Sequence, residues 1–334
     1  MMARPRTIDF HGHFLPQRLI EAYRKTPYGR ATSWLWESPA FSDPEEHIKI
    51  MDAVGVDVEV IGPSTAFVGA IEAAGMETNE GVRFTNDEYA RVIREYPGRF
   101  AGSASINPFD IKFSVDEIER SITKLGLKAI SMETCYDGLY IDDERFWPVF
   151  KIAEELDVPI YAHAAVTTPY WKEAQRSDKD YLRAEIAMFL SSTIAVGRFV
   201  MFGIYDRFPK LNVVMGLLAG FIPFMFGRFE VVQSFYQKWP PEAVAGETVF
   251  PLRLMADYKG RILGDTHSVD HRALECAVDT LGADCIVLGG DYPITPDRFG
   301  IRWNLKQIER MRVLESYKRS ILGENAARLL KLDL

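Results

Sequence analysis

Short apolar runs alternate with amphipathic segments along the whole chain, and the two kinds of segment have different periods. The runs at 7–10, 58–62, 100–106, 129–133, 159–162, 212–216, 261–265 and 285–289 predict eight strands. Most lack polar residues at alternate positions, as expected of parallel strands covered on both faces. Between them, 45–54, 86–96, 114–125, 146–156, 271–281 and 303–314 carry apolar residues at helical spacing. Asp43-Pro44-Glu45-Glu46 reads as an N-cap, a first-turn proline and acids that complement the helix dipole. Gly55, Gly126 and Gly282 follow helix ends, where a left-handed residue closes the last turn. Strands alternating with helices predict an α/β fold, a (β/α)8 TIM barrel, as one domain over residues 1–334. The connections after strands one, five and six are long and are expected to hold extra helices that shape a lid or a subunit contact. There is no internal repeat, low-complexity segment or interdomain linker.

Composition narrows the setting. Hydrophobic residues make up 47% and charged residues 26%, the profile of a soluble globular protein. A net charge of −8 argues against a general nucleic-acid or anionic-membrane binder, but not against an acidic small molecule. The longest apolar stretch, 213–227, is too short and too broken by glycine and proline for a membrane span. No charged-then-apolar leader is evident, so a cytoplasmic protein is expected. Cys135, Cys276 and Cys285 are too few and scattered for a disulfide framework or a cysteine-based zinc site. They read as small buried apolar residues.

The candidate chemistry lies at strand ends. In a strand, residues i and i+2 share a face, so His11 and His13 can aim both imidazoles at one point. Alone, such a pair also recurs by chance. His163 ends strand five and Asp291 follows strand eight, however, and barrel active sites gather at the C-terminal strand ends. Three imidazoles and a carboxylate from three strand ends can meet around a divalent cation.

Long collinear motifs add a family reading. They are Asp-Phe-His-Gly-His-Phe-Leu-Pro at 9–16, Met-Asp-Ala-Val-Gly-Val-Asp at 51–57 and Tyr-Pro-Gly-Arg-Phe at 96–100. Further along come Ala-Glu-Glu-Leu-Asp-Val-Pro-Ile at 153–160, Asp-Arg-Phe-Pro-Lys-Leu at 206–211 and Gly-Ala-Asp-Cys-Ile-Val-Leu-Gly-Gly-Asp-Tyr-Pro at 282–293. With these the chain resembles the amidohydrolase superfamily, in the branch of aminocarboxymuconate-semialdehyde decarboxylase and related aromatic-acid decarboxylases. The resemblance implies His11, His13, His163 and Asp291 as ligands of a divalent metal, usually zinc and in some relatives manganese. It implies non-oxidative decarboxylation of an aromatic or unsaturated carboxylic acid, with Asp291 moving a proton and no redox cofactor. It also implies that Arg228 contacts a substrate carboxylate, in some relatives across the interface of a homodimer or higher oligomer. A fork of donors suits that task.

One position departs from the family. Strand six there carries a histidine in a Gly-His-Leu-Gly-Gly or Ala-His-Gly-Gly-Gly run, whereas this chain reads Gly216-Leu217-Leu218-Ala219-Gly220. Leucine accepts no proton and orients no water. Three readings stay open. Another residue takes the role, His267 being the candidate just past strand seven; or the metal and Asp291 suffice; or the substrate, the reaction or catalysis itself has changed. The alternatives are a metal-dependent hydrolase or hydratase acting on a ring-cleavage product or lactone, and a non-catalytic member. Trp34, Trp36, Phe41, Phe67 and Tyr170 are candidate aromatic clamps, and Glu133 with Tyr136 forms a further candidate pair. His47 and His271 fall on helical segments and read as structural.

Overall fold

The computed structural model describes residues 6–65, 67–165, 182–236, 238, 253–267, 269–295 and 300–333. Its centre is a parallel sheet of eight strands. They are β1 Ile8–His13, β2 Val58–Gly62, β3 Phe100–Ala104 and β4 Ala129–Glu133, followed by β5 Ile160–His163, β6 Val213–Met215, β7 Leu263–Asp265 and β8 Ile286–Val287. Neighbours pair in chain order. The strand beyond β8 returns to β1 through Phe10 N–H to Leu288 O (2.8 Å), Asp291 N–H to His11 O (2.7 Å) and His13 N–H to Tyr292 O (2.7 Å). With helices around it, this is a (β/α)8 barrel. β1, β2 and β3 are buried at every position, as two-sided cover demands.

The boundaries differ from the sequence pattern for local reasons. β1 runs on through His13, so the histidines belong to the strand instead of following it. β3 stops at Ala104 because the Ser105 N–H is taken by the Asn86 side chain (2.8 Å). One helix begins at Thr78, well before the expected 86. Its N-cap is Glu77, whose carboxylate accepts from Glu80 N–H, and its first turns are polar. By contrast, Asp43 caps Pro44–Val54 as read, and Gly55 closes that helix at φ 80°. Helices stand after β1 (Gln17–Tyr23, Pro27–Ala31, Ser33–Trp36), after β5 (Met188–Met201, Ile204–Arg207) and after β6 (Ile222–Tyr236).

A bulge in β1 sets the direction of its side chains. Asp9 pairs with Glu59 and Gly12 with Ile61, so three residue steps of β1 oppose two of β2. Glu59 accepts from His47 on the helix covering this edge (2.6 Å), which places Asp9 and Glu59 on the outer face. Phe10 packs on Tyr161 inside the barrel, ring centroids 6.1 Å apart. The extra residue then returns His11 and His13 to the interior at the barrel mouth.

The segment after β6 is strained. Leu217, Leu218 and Ala219 all have left-handed backbones (φ 58°, 55° and 59°). Each such residue costs roughly 1–2 kcal/mol. The Leu218 N–H donates to Asp265 Oδ1 (3.3 Å), and the Phe221 N–H to Thr193 Oγ1 (2.8 Å). The turn also lies flat against Gly264 of β7, where an added Cβ would sit 2.9 Å from the Leu218 carbonyl carbon. Gly264→Ala therefore forces backbone against backbone and is expected to lower unfolding free energy by about 1–3 kcal/mol. Urea denaturation checks this, and a wild-type midpoint would contradict the packing.

Candidate metal centre

Each imidazole at the mouth has its outer nitrogen engaged. His11 Nδ1 meets Asp265 Oδ2 (2.9 Å), His13 Nδ1 meets the Pro63 carbonyl (2.9 Å) and His163 Nδ1 meets the Ala164 carbonyl (2.8 Å). With acceptors on that side, Nδ1 carries the proton and Nε2 presents a lone pair inward. These three Nε2 atoms and one Asp291 oxygen lie within 4.8 Å of one another. His11 and His13 Nε2 are 3.1 Å apart, and Asp291 Oδ1 is 3.1 and 2.9 Å from them. Donor atoms about 2.1 Å from a common ion have this spacing. Lone pairs at such range repel unless positive charge stands between them, so the group fits a divalent cation.

Asp291 has two working sides. Oδ1 faces the imidazoles, with His163 Nε2 at 4.0 Å. Oδ2 accepts from Thr295 Oγ1 (2.6 Å) and lies 3.4 Å from His267 Nε2. The backbone of Asp291 is left-handed (φ 58°), held by its own N–H on His11 O and by Thr295 N–H on its carbonyl (2.8 Å). Burial alone would raise its carboxyl, yet His267 and His11 hold it well below the ordinary range. Burial opposes charging of His11, but Asp265 and Asp291 outweigh it and lift the pKa to about 10. Burial pushes His13 down to about 4 and also holds His267 below its ordinary value.

Beside this cluster opens a cleft of about 470 Å³, including space open to solvent. The ends of β2 to β5 line it, with His163 and Tyr161 shared between cluster and cleft. Glu133 lines it too, and burial with the nearby Asp137 charge raises its carboxyl to about 8. Tyr136 lines the cleft, and its hydroxyl accepts from Glu133 N–H (2.8 Å). Phe67 is the one of the five clamp candidates on the cleft wall. Trp36 and Phe41 are instead buried against each other and Tyr23, in the core under the β1–β2 connection. Tyr170 and the Trp34 side chain lie outside the described residues. Leu217 is 5% exposed and belongs to none of the three core clusters. Arg228 is exposed on the helix Ile222–Tyr236, away from the cleft lining. His47 is fully buried between Glu59 and the Ala40 carbonyl, and His271 faces Gln307 at a helix start.

The sequence reading missed the residues behind the ligands. Asp265 holds His11, the Tyr161 hydroxyl (2.7 Å), the Leu218 N–H and the His267 N–H. Two signals were available: Asp265 ends β7 on the chemical side of the barrel, and Tyr161 precedes His163 by two residues on the same face.

Fold and cluster together define a barrel with a divalent-metal type of centre at its C-terminal mouth. A family model described as amidohydrolase matches residues 8–332. The chain belongs to the amidohydrolase superfamily, in the branch of the aminocarboxymuconate-semialdehyde and gamma-resorcylate decarboxylases. It is 26% identical to 2-amino-3-carboxymuconate-6-semialdehyde decarboxylase of Dictyostelium discoideum, covering 98% of this chain and 92% of that one. The crystal structure of 5-carboxyvanillate decarboxylase from Sphingomonas paucimobilis superposes with a TM-score of 0.81 at 24% identity, over 98% and 99% of the two chains. A dihydroxybenzoic acid decarboxylase from Polaromonas sp., solved with manganese and the inhibitor 2-nitroresorcinol, has a TM-score of 0.79 at 22% identity, over 98% and 97%. These structural likenesses establish the fold.

The pKa of His11 is lifted to about 10, so an ion competes with a proton for its Nε2. Affinity is expected to rise about tenfold per pH unit towards that value, with about one proton released per ion near pH 8. Calorimetric titration of chelator-treated protein in buffers of different ionisation enthalpy measures both. Heats independent of the buffer would contradict the assignment of His11.

Proposed function

We propose that residues 1–334 act as one barrel unit, a metal-dependent, non-oxidative decarboxylase of an aromatic or unsaturated carboxylic acid. The observation that carries this reading is the division of Asp291, with one oxygen in the imidazole cluster and the other beside Thr295 and His267. We assign His11, His13, His163 and Asp291 as ligands of zinc or manganese; the chemistry such an ion supplies is Lewis-acid polarisation of substrate oxygens. A proton taken from solvent and relayed through Asp291 reaches the carbon that bears the carboxylate. The carbon–carbon bond then breaks, its electron pair stays with the ring or chain, and CO2 leaves. No oxidant enters the balance.

Leu217 stands where the family has its strand-six histidine, and we assign the lost proton relay to His267. His267 is 7% exposed and its Nε2 lies 3.4 Å from Asp291 Oδ2, so it can take a proton from solvent and pass it to that oxygen. Three free cysteines support a cytoplasmic setting. We infer that Arg228 serves the site of a second copy in a homodimer. It lies in an exposed stripe with Phe224 (86% exposed), Val231 and Phe235, all on one face of the helix Ile222–Tyr236.

Metal-loaded protein is expected to release CO2 from a hydroxybenzoate panel, measured by coupled assay. Consumption of water without CO2 would move the protein to the hydratase reading. His267→Ala is expected to lower turnover by about 10²–10⁴ with metal content unchanged, and an undiminished rate would refute the relay. Phe224→Asp should shift sedimentation from dimer to monomer; a wild-type profile would remove the interface.

A further inference from the structure

The part of the cleft at the end of β4 is not used by the chemistry above. There Glu133 and His163 are register partners on adjacent parallel strands, so their side chains emerge on the same side of the sheet. His163 belongs to the ligand cluster, and Glu133 therefore stands next to the place where a substrate carboxylate would dock. The Glu133 carboxyl has no hydrogen-bond or ion-pair partner among the described residues, although its backbone N–H is tied to the Tyr136 hydroxyl. Glu133 is half-buried on the cleft wall, and an acid without a partner there gains one from a ligand. Phe67, Ile106, Met132 and Tyr136 supply flat apolar walls around it.

We propose that Glu133 is the specificity-determining residue of the cleft: it accepts a hydrogen bond from a hydroxyl or amino group on the substrate, and so selects hydroxylated or aminated monocarboxylates over dicarboxylates. Charge decides between these two classes. Among the described lining residues there is no lysine or arginine to balance a second carboxylate, and Asp137 adds negative potential at the same corner. A neutral donor completes Glu133, whereas a second carboxylate would meet the Asp137 charge with no cation on the described wall to balance it. Ser131, which precedes Glu133 by two residues and lines the same wall, already donates its proton to Ser103 Oγ (2.8 Å).

This inference rests on the carboxylic-acid reading of the site, and its test is equilibrium binding, which does not require turnover. Metal-loaded wild type, Glu133→Ala and Glu133→Gln are titrated with benzoate, the monohydroxybenzoates, the aminobenzoates and isophthalate. Wild type is expected to bind at least one hydroxy- or aminobenzoate about tenfold or more tightly than benzoate or isophthalate. Glu133→Ala should reduce that preference to within about twofold while benzoate affinity holds, and Glu133→Gln, which keeps an accepting oxygen, should retain part of it. Metal content and thermal midpoint of both variants are measured alongside, to show that the cluster and fold persist. Tighter binding of isophthalate by wild type, a hydroxyl preference that survives in Glu133→Ala, or no acid bound better than benzoate would each overturn the assignment. CO2 release is followed in parallel. A Glu133-dependent preference without CO2 would remove the decarboxylase reading and leave the selectivity, whereas CO2 without that preference would do the reverse.

Discussion

Three imidazole nitrogens and a carboxylate oxygen are made to face one another, and the rest of the mouth is arranged around that constraint. Left to themselves these lone pairs would turn apart. Asp265 and the carbonyls of Pro63 and Ala164 prevent it by holding each outer nitrogen, so the ring planes cannot rotate away without breaking a hydrogen bond. The facing donors also raise the affinity of His11 for a proton. The same geometry that favours that proton favours a divalent cation, because both place positive charge at the focus of the donors.

Holding the donors there puts strain on the neighbouring chain. Asp291 and the run from Leu217 to Ala219 occupy left-handed backbone that L-residues avoid. Both segments are pinned by hydrogen bonds to other parts of the mouth, Asp291 to β1 and Leu218 to Asp265. The strained turns and the cluster thus share their anchors. Asp265 is the common one, bonded to His11, to the strained turn and to the backbone of His267. Its pKa is held at about 2 despite burial, so it remains an acceptor throughout the working pH range.

The barrel was legible because a two-sided parallel sheet needs unbroken apolar runs, and eight of them occur in order. The four cluster residues were legible because strand ends are where such a barrel does chemistry. What escaped was whatever depends on distance in three dimensions. Nothing in the sequence pairs Asp265 with His11, 254 positions away. The helix from Thr78 escaped in its first two turns because polar residues there leave no helical apolar period. Trp36 and Phe41 looked like ligand clamps from their loop position and proved to be core, since the β1–β2 connection builds a small core of its own. Glu133 was visible as an acid after a strand, but only its register with His163 shows which way it points.

The bulge in β1 separates two functions carried by one strand. Up to Phe10 the interior side chains fill the barrel, and from His11 onward they hold charge. Without the extra residue a strict alternation would put either Phe10 or His11 on the outer face beside Glu59. With it, filling and chemistry keep separate phases along the same backbone. Phe10 can then change volume with its packing partners while the reach of the histidines stays set by the backbone beyond the bulge.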